Sequence, residues 1–299
     1  MKTLDLRGII TPLITPLNAD YSLDVSSLDK IVEHIIAGGV SGVFPLGTTG
    51  EFCSLSLSMQ KEIILRVCTS VKSRIPVLVG ISSVSLSDTL TLAEQANRFH
   101  ADALVATLPF YYQLSQKEII DYFSLLANKV KLPLFLYNMP SKTKINFDLA
   151  TVLTLSKHPN IIGLKDSSGD MKYFSDLTAL LGNTDFDLYV GPEEKLAESL
   201  SLGAHGGVNG GSNLYPKLYV SLYNAFQKGD MKQVEKLQKD IQRLSDVVYH
   251  LTKNPNAYLQ GLKTALSING LCQDTLAPPL QDLSSKLKID LRAKLNTLF

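Results

Sequence analysis

Eight short apolar runs recur along the chain, at 8–14, 42–46, 76–81, 103–108, 132–137, 161–165, 186–190 and 204–208. Between them the apolar residues switch to helical spacing, as in Leu28, Ile31, Val32, Ile35 and Ile36, or Leu92, Ala93, Ala96 and Phe99. Most runs are apolar at both alternating positions, the pattern of strands buried on two faces of a parallel sheet. Parallel neighbours need a crossover, and helices supply it. Eight strand–helix units at intervals of mostly about 25 to 35 residues fit a closed barrel, whereas an open doubly wound sheet usually stops at about five or six strands. The expected fold class is therefore α/β, a (β/α)8 TIM barrel over residues 1–227.

Beyond Leu214 the strand pattern ends, and 216–226, 231–251, 256–268 and 284–298 read as helices, with Pro278-Pro279 breaking the chain before the last. The first closes the barrel as its eighth helix. Residues 228–299 make a C-terminal helical extension, below the usual size of an independent domain, that is expected to pack on the barrel's flank. Local signals agree: Asp24 and Ser26 can cap the helix of Ile31 and Ile35, Gly38-Gly39 ends it, and Ser115 stands three residues before Glu118 as in a capping box. Asp148 and Ser167 stand where later helices should begin.

Composition narrows the function. A net charge of +1 lacks the basic excess that nucleic acid or an acidic membrane surface attracts. No apolar stretch reaches the roughly 18 residues of a membrane helix. Met1 to Arg7 carries an acid and bases without a signal-peptide core, so a cytoplasmic address is expected. Cys53, Cys68 and Cys272 have no metal-ligand spacing, and Cys68 reads as core. His34, His100, His158, His205 and His250 are scattered singly, so no metal is expected.

In a barrel of this kind the chemistry sits on loops after the strand C-termini. The sixth run ends in Lys165, followed by Asp166-Ser167-Ser168-Gly169-Asp170. Desolvation there would favour the neutral amine, which can attack a carbonyl carbon and form a Schiff base; the alternative is a strand-ending lysine reaching for water. Gly47-Thr48-Thr49-Gly50-Glu51 follows the second run and suits a carboxylate through open backbone N–H groups and two hydroxyls, or is a tight turn with capping threonines. Pro109-Phe110-Tyr111-Tyr112 and Tyr137-Asn138-Met139-Pro140 bring phenols to the same rim. Gly191-Pro192-Glu193-Glu194 and the glycine-rich stretch 206–213 complete it, the latter also compatible with a phosphate site. A lysine for an imine, a phenol for protons and a cradle for a carboxylate are what a 2-oxo acid needs to become an enamine nucleophile.

The combination of Gly47-Thr48-Thr49-Gly50-Glu51, Tyr137-Asn138-Met139-Pro140 and Gly163-Leu164-Lys165-Asp166 resembles the dihydrodipicolinate synthase and N-acetylneuraminate lyase family of pyruvate-dependent class I aldolases, over essentially the whole chain. The resemblance implies a Schiff base on Lys165 with no separate cofactor, Tyr137 as the phenol that handles its protons, and Thr48 and Thr49 as the pyruvate-carboxylate site. It implies that Tyr111 crosses a subunit interface to complete a Thr–Tyr–Tyr relay, hence a homotetramer built as a dimer of dimers. Val208 falls where the family uses a backbone carbonyl near pyruvate. The branches differ at specificity positions. Where the synthase branch usually has arginine, this chain has Lys142, a point charge without a planar fork. Phe52-Cys53-Ser54-Leu55-Ser56-Leu57 lacks the histidines seen where some synthases bind inhibitory lysine. Gly191, Glu193 and Glu194 resemble the lyase motif that holds sugar hydroxyls, and the turn after Lys165 looks closer to aldolases of 2-keto-3-deoxy sugar acids or hydroxy-oxo acids. The expected partners are pyruvate and an aldehyde. The alternatives are 4-hydroxy-tetrahydrodipicolinate synthase, N-acetylneuraminate lyase, and a sensor that binds a 2-oxo acid without turnover.

Overall fold

The structure, a computed structural model, describes residues 6–298. Met1 to Asp5, which belong to the segment read above for a signal peptide, and Phe299 lie outside the described residues. The barrel alternates β1 (Gly8–Pro12), α1 (Val25–Ala37), β2 (Gly42–Phe44), α2 (Leu57–Val71), β3 (Leu78–Gly80), α3 (Leu86–Arg98), β4 (Ala103–Thr107) and α4 (Gln116–Lys129). It continues through β5 (Leu134–Asn138), α5 (Pro140–Thr143), α6 (Leu149–Leu155), β6 (Ile161–Asp166), α7 (Met171–Leu181), β7 (Asp187–Val190), α8 (Leu196–Leu202), β8 (Gly206–Val208) and α9 (Pro216–Gln227). Then α10 (Met231–Val248), α11 (Ala257–Ile268) and α12 (Ser285–Leu295) follow.

The eight strands are parallel in the order β2-β1-β8-β7-β6-β5-β4-β3, the expected (β/α)8 barrel. Its seam lies between β2 and β3, each three residues long, and closes through the Val43–Val77 bridge. There the Val43 amide donates to Pro76 O at 3.0 Å and the Gly80 amide to Pro45 O at 3.0 Å.

Strand alternation sorts the apolar residues into two layers. Ile10, Phe44, Leu78, Val105, Phe135 and Tyr189 fill the barrel's interior, while Val43, Val79, Leu104, Leu136 and Leu164 face the helices. Each large aliphatic or aromatic side chain so enclosed contributes roughly 1.5–3 kcal/mol through loss of water contact. In α1, Leu28, Ile31, Val32 and Ile35 recur on one face and are buried on the sheet.

The caps hold in part. The Asp24 side chain accepts the Ser27 amide at 3.0 Å, Gly38 ends α1, and Ser115 with Glu118 forms a capping box. Ser26 lies inside α1, and Asp148 takes the N-cap position of α6 without a side-chain cap bond. Ser167 does not start a helix: α7 begins at Met171, capped by Asp170, which accepts the Lys172 and Tyr173 amides at 3.0 Å each. The cause is local competition for hydrogen bonds. The Asp166 carboxylate, at the end of β6, takes the Ser168 hydroxyl at 2.8 Å and the Ser168 amide at 3.2 Å, keeping 167–170 as a loop.

In the extension, α10 buries Val234, Leu237, Ile241, Leu244 and Val248 along one stripe. By contrast α11 is buried continuously from Leu259 to Leu266. Among the described residues no helix is long and apolar enough to cross a membrane.

Candidate active site

A cavity of about 470 Å³ opens at the C-terminal ends of the strands. On β6, beyond the register shift opposite Leu134 and Phe135, Lys165 pairs with Tyr137 of β5 and points into the interior. Gly163 precedes it by one alternation because a Cβ there would meet the Phe135 ring at 2.3 Å. The Lys165 ammonium nitrogen lies 4.2 Å from the Tyr137 ring centroid and 5.2 Å from that of Phe44. The residue is only 7% exposed. Burial holds its amine below the ordinary lysine pKa, with Tyr137 pulling the other way. The sequence reading of a desolvated lysine thus prevails over that of a strand end reaching for water.

The Tyr137 phenol shares a hydrogen bond of 3.1 Å with Thr48 Oγ1. Thr48 and Thr49 both line the cavity, in a turn that closes itself with the Gly50 amide on Gly47 O at 3.0 Å and the Glu51 amide on Thr48 O at 3.1 Å. The turn is also gripped from outside. Lys263 of α11 pairs with Glu51 Oε1 at 2.6 Å and donates to Thr275 O at 2.6 Å, and Glu51 Oε2 accepts the Ala277 amide at 2.7 Å. Desolvation raises the Glu51 pKa even with the Lys263 charge beside it.

Lys142, Gly191, Glu193, Glu194 and Val208 line the cavity as well. Lys142 stands at its exposed mouth, within α5. Glu193 is buried and committed to protein partners: it accepts the Tyr219 phenol in a short bond, the Tyr249 phenol at 2.9 Å and the Gly211 amide at 2.9 Å. Burial nonetheless pushes its pKa up to about 7. Glu194, bonded to the Ser245 hydroxyl, is the more accessible of the two. Tyr111 is not brought into the cavity; it is 79% exposed and packs edge-to-face on Tyr112 at 5.2 Å. Ser167, from the turn after Lys165, lines the cavity too, and residues that the motifs did not reveal also form the wall: Ser141, Tyr249, Asn256 and Tyr258. Tyr249, Asn256 and Tyr258 come from the helices and loops that follow the barrel, which therefore supply part of the wall at its mouth. Among the described residues no group of three or more His, Cys, Asp or Glu side chains is placed to hold a metal ion.

Residues 5–298 match the dihydrodipicolinate synthetase family. The chain belongs to this family. Among the family's solved structures, a dihydrodipicolinate synthase from Bacteroides thetaiotaomicron is similar at 44% identity, with 99% of each chain covered and a TM-score of 0.95. YagE, a prophage protein of the dihydrodipicolinic acid synthase family from E. coli K12 in complex with pyruvate, is similar at 29% identity, 98% coverage of each chain and a TM-score of 0.93. A 4-hydroxy-tetrahydrodipicolinate synthase of Endomicrobium trichonymphae is 32% identical over 95% of this chain and 96% of its own length. An uncharacterized DapA-like lyase of Halobacterium salinarum is 32% identical over 99% and 95%. Members of the dihydrodipicolinate synthetase family are lyases, class I aldolases that form a lysine Schiff base with pyruvate. The chain is a pyruvate-dependent lyase of this type.

Proposed function

We propose that the enzyme cleaves a 2-keto-3-deoxy sugar acid, or a related hydroxy-2-oxo acid, into pyruvate and an aldehyde through an imine on Lys165. The observation that carries this reading is the pairing of a buried amine, 4.2 Å from the Tyr137 ring, with a cavity wall rich in hydroxyl-recognising groups. Ser141, Ser167, Glu194 and Asn256 offer donors and acceptors to a polyhydroxylated chain, while Lys142 provides one cation and no planar fork.

The neutral Lys165 amine attacks the C2 carbonyl, and loss of water leaves a protonated imine. Tyr137 removes the proton of the C4 hydroxyl, the C3–C4 bond breaks, and its electron pair enters the imine as an enamine while the aldehyde departs. Proton return to C3 and hydrolysis release pyruvate and regenerate the amine. Thr48 and Thr49 bind the carboxylate, Val208 borders the pyruvate end, and Gly191, Glu193 and Glu194 shape the distal end. Thr48 relays the proton with Tyr111, which, being exposed in its own chain, would be supplied by a second copy in a homotetramer. A cytoplasmic location belongs to the same reading.

Mass spectrometry after incubation with pyruvate and borohydride tests the imine. A reduced adduct on Lys165, absent from Lys165→Ala, is expected; a folded wild type without it refutes the mechanism, and an adduct without turnover of any aldol substrate returns the sensor. A second reading, 4-hydroxy-tetrahydrodipicolinate synthase, is supported by the names of several relatives and by Lys142 at the mouth, where it could meet the carboxylate of aspartate semialdehyde. Efficient condensation of pyruvate with that aldehyde, without cleavage of sugar acids, would select it.

A further inference from the structure

We infer that Tyr258, in the C-terminal extension, is a positioning residue for the substrate carboxylate, acting through the hydroxyl of Thr49. The inference rests on the proposed carboxylate role of Thr48 and Thr49.

Tyr258 Oη and Thr49 Oγ1 lie 3.0 Å apart. A threonine hydroxyl carries one proton and rotates to suit its surroundings. When Tyr258 donates, Thr49 accepts and its own proton is released toward the cavity, where an anion can take it. Loss of hydration raises the phenol's pKa above the ordinary tyrosine value, so Tyr258 stays protonated and able to donate. The two cavity threonines thus each have a phenol: Tyr137 serves Thr48 from β5 beside the lysine, and Tyr258 serves Thr49 from α11.

The phenol's place is fixed from several directions. Its ring packs on Tyr249 at 4.6 Å between centroids, and Tyr249 is itself tied to Glu193 at 2.9 Å. The residue beneath its hydroxyl is Gly210, where a Cβ would stand 1.7 Å from the phenol oxygen. On the same helix, the Lys263–Glu51 pair fixes α11 to the turn that carries Thr49. A segment distant in sequence from the barrel strands is therefore built to hold one hydroxyl of the cradle.

The test is the pyruvate dependence of borohydride trapping in wild type, Tyr258→Phe, Thr49→Val and the double variant, repeated with methyl pyruvate. Tyr258→Phe keeps the ring and its contact with Tyr249. Loss of one ordinary hydrogen bond predicts about a five- to tenfold rise in half-saturating pyruvate, with the limiting trapping rate within about twofold of wild type. Methyl pyruvate, which lacks the anionic carboxylate, is expected to show little change, and adding Tyr258→Phe to Thr49→Val no further one. Equal effects on the acid and its ester, multiplying effects in the double variant, or half-saturation within about twofold of wild type overturns the inference alone. A wild type that forms no adduct overturns the proposed function, and the inference with it.

Discussion

Lys263→Met probes the grip of the extension on the barrel. Lys263 is 1% exposed, its partner Glu51 is buried, and they meet at 2.6 Å. Removing one member of such a pair leaves an uncompensated buried carboxylate, at a cost of roughly 3–5 kcal/mol. With an unfolding entropy of about 2.1 cal/mol/K per residue, 299 residues give roughly 0.6 kcal/mol/K, so the Tm should fall by about 5–8 °C. The Glu51→Gln/Lys263→Met double variant, with no carboxylate to strand, should recover most of that loss. Burial already raises the Glu51 pKa, and removal of Lys263 raises it further. Protonation then favours the folded state: the variant is most stable below the unfolded glutamate pKa and loses stability as pH rises through the folded one, so its deficit at pH 8 exceeds that at pH 5. Scanning calorimetry of the wild type, both single variants and the double at these two pH values measures all of this. A single-variant loss below about 1 kcal/mol, or a double variant no better than Lys263→Met, would refute the reasoning.

Tyr137→Phe should slow deuterium exchange into the methyl group of pyruvate, followed by NMR, by about 10²–10⁴-fold, the usual contribution of a positioned general acid–base. An unchanged exchange rate would take the proton role away from the phenol. Glu193→Gln should gain on the wild type by about 2 kcal/mol between pH 5 and pH 8 in denaturant titrations, because a folded pKa of about 7 makes the native state lose stability as pH rises from the unfolded glutamate range through 7. A pH-independent difference contradicts the raised pKa. Gly210→Ala should displace the Tyr258 phenol and raise half-saturating pyruvate as Tyr258→Phe does; a variant indistinguishable from wild type in pyruvate trapping is inconsistent with that packing.

The barrel was legible because parallel strands buried on both faces leave unbroken apolar runs, and because Lys165 interrupts one of them with a charge. Thr48, Thr49 and Tyr137 were legible from their places at strand ends. Tyr258 and Lys263 were not, since each acts on a residue more than two hundred positions earlier. A signal did exist for Lys263: it is the lone charge in Ala257–Ile268, a helix otherwise apolar, small or uncharged, and such a helix has little solvent face to offer a lysine. Ser167 misled for a different reason. Serine before a polar turn fits a helix cap, yet the neighbouring Asp166 had already organised the loop. The partner role foreseen for Tyr111 depends on contacts outside a single chain.

The strand that leads into the Thr48–Thr49 turn is also a strand at which the barrel closes. β2 and β3 join through the Val43–Val77 bridge and the two amide bonds beside it, whereas β5 and β6, which carry Tyr137 and Lys165, are paired in one register at four consecutive positions, from Phe135–Gly163 to Asn138–Asp166. With fewer backbone pairings under the Thr48–Thr49 turn than under Tyr137 and Lys165, local opening is expected to cost less on the β2–β3 side. Native-state amide exchange should find Val43 and Gly80 exchanging ahead of Leu136 and Lys165, and saturating pyruvate should slow the first pair the more. On the proposed roles, the residues that bind the oxo acid and the amine that reacts with it stand on differently paired strands, so either can drift in evolution while the other is kept.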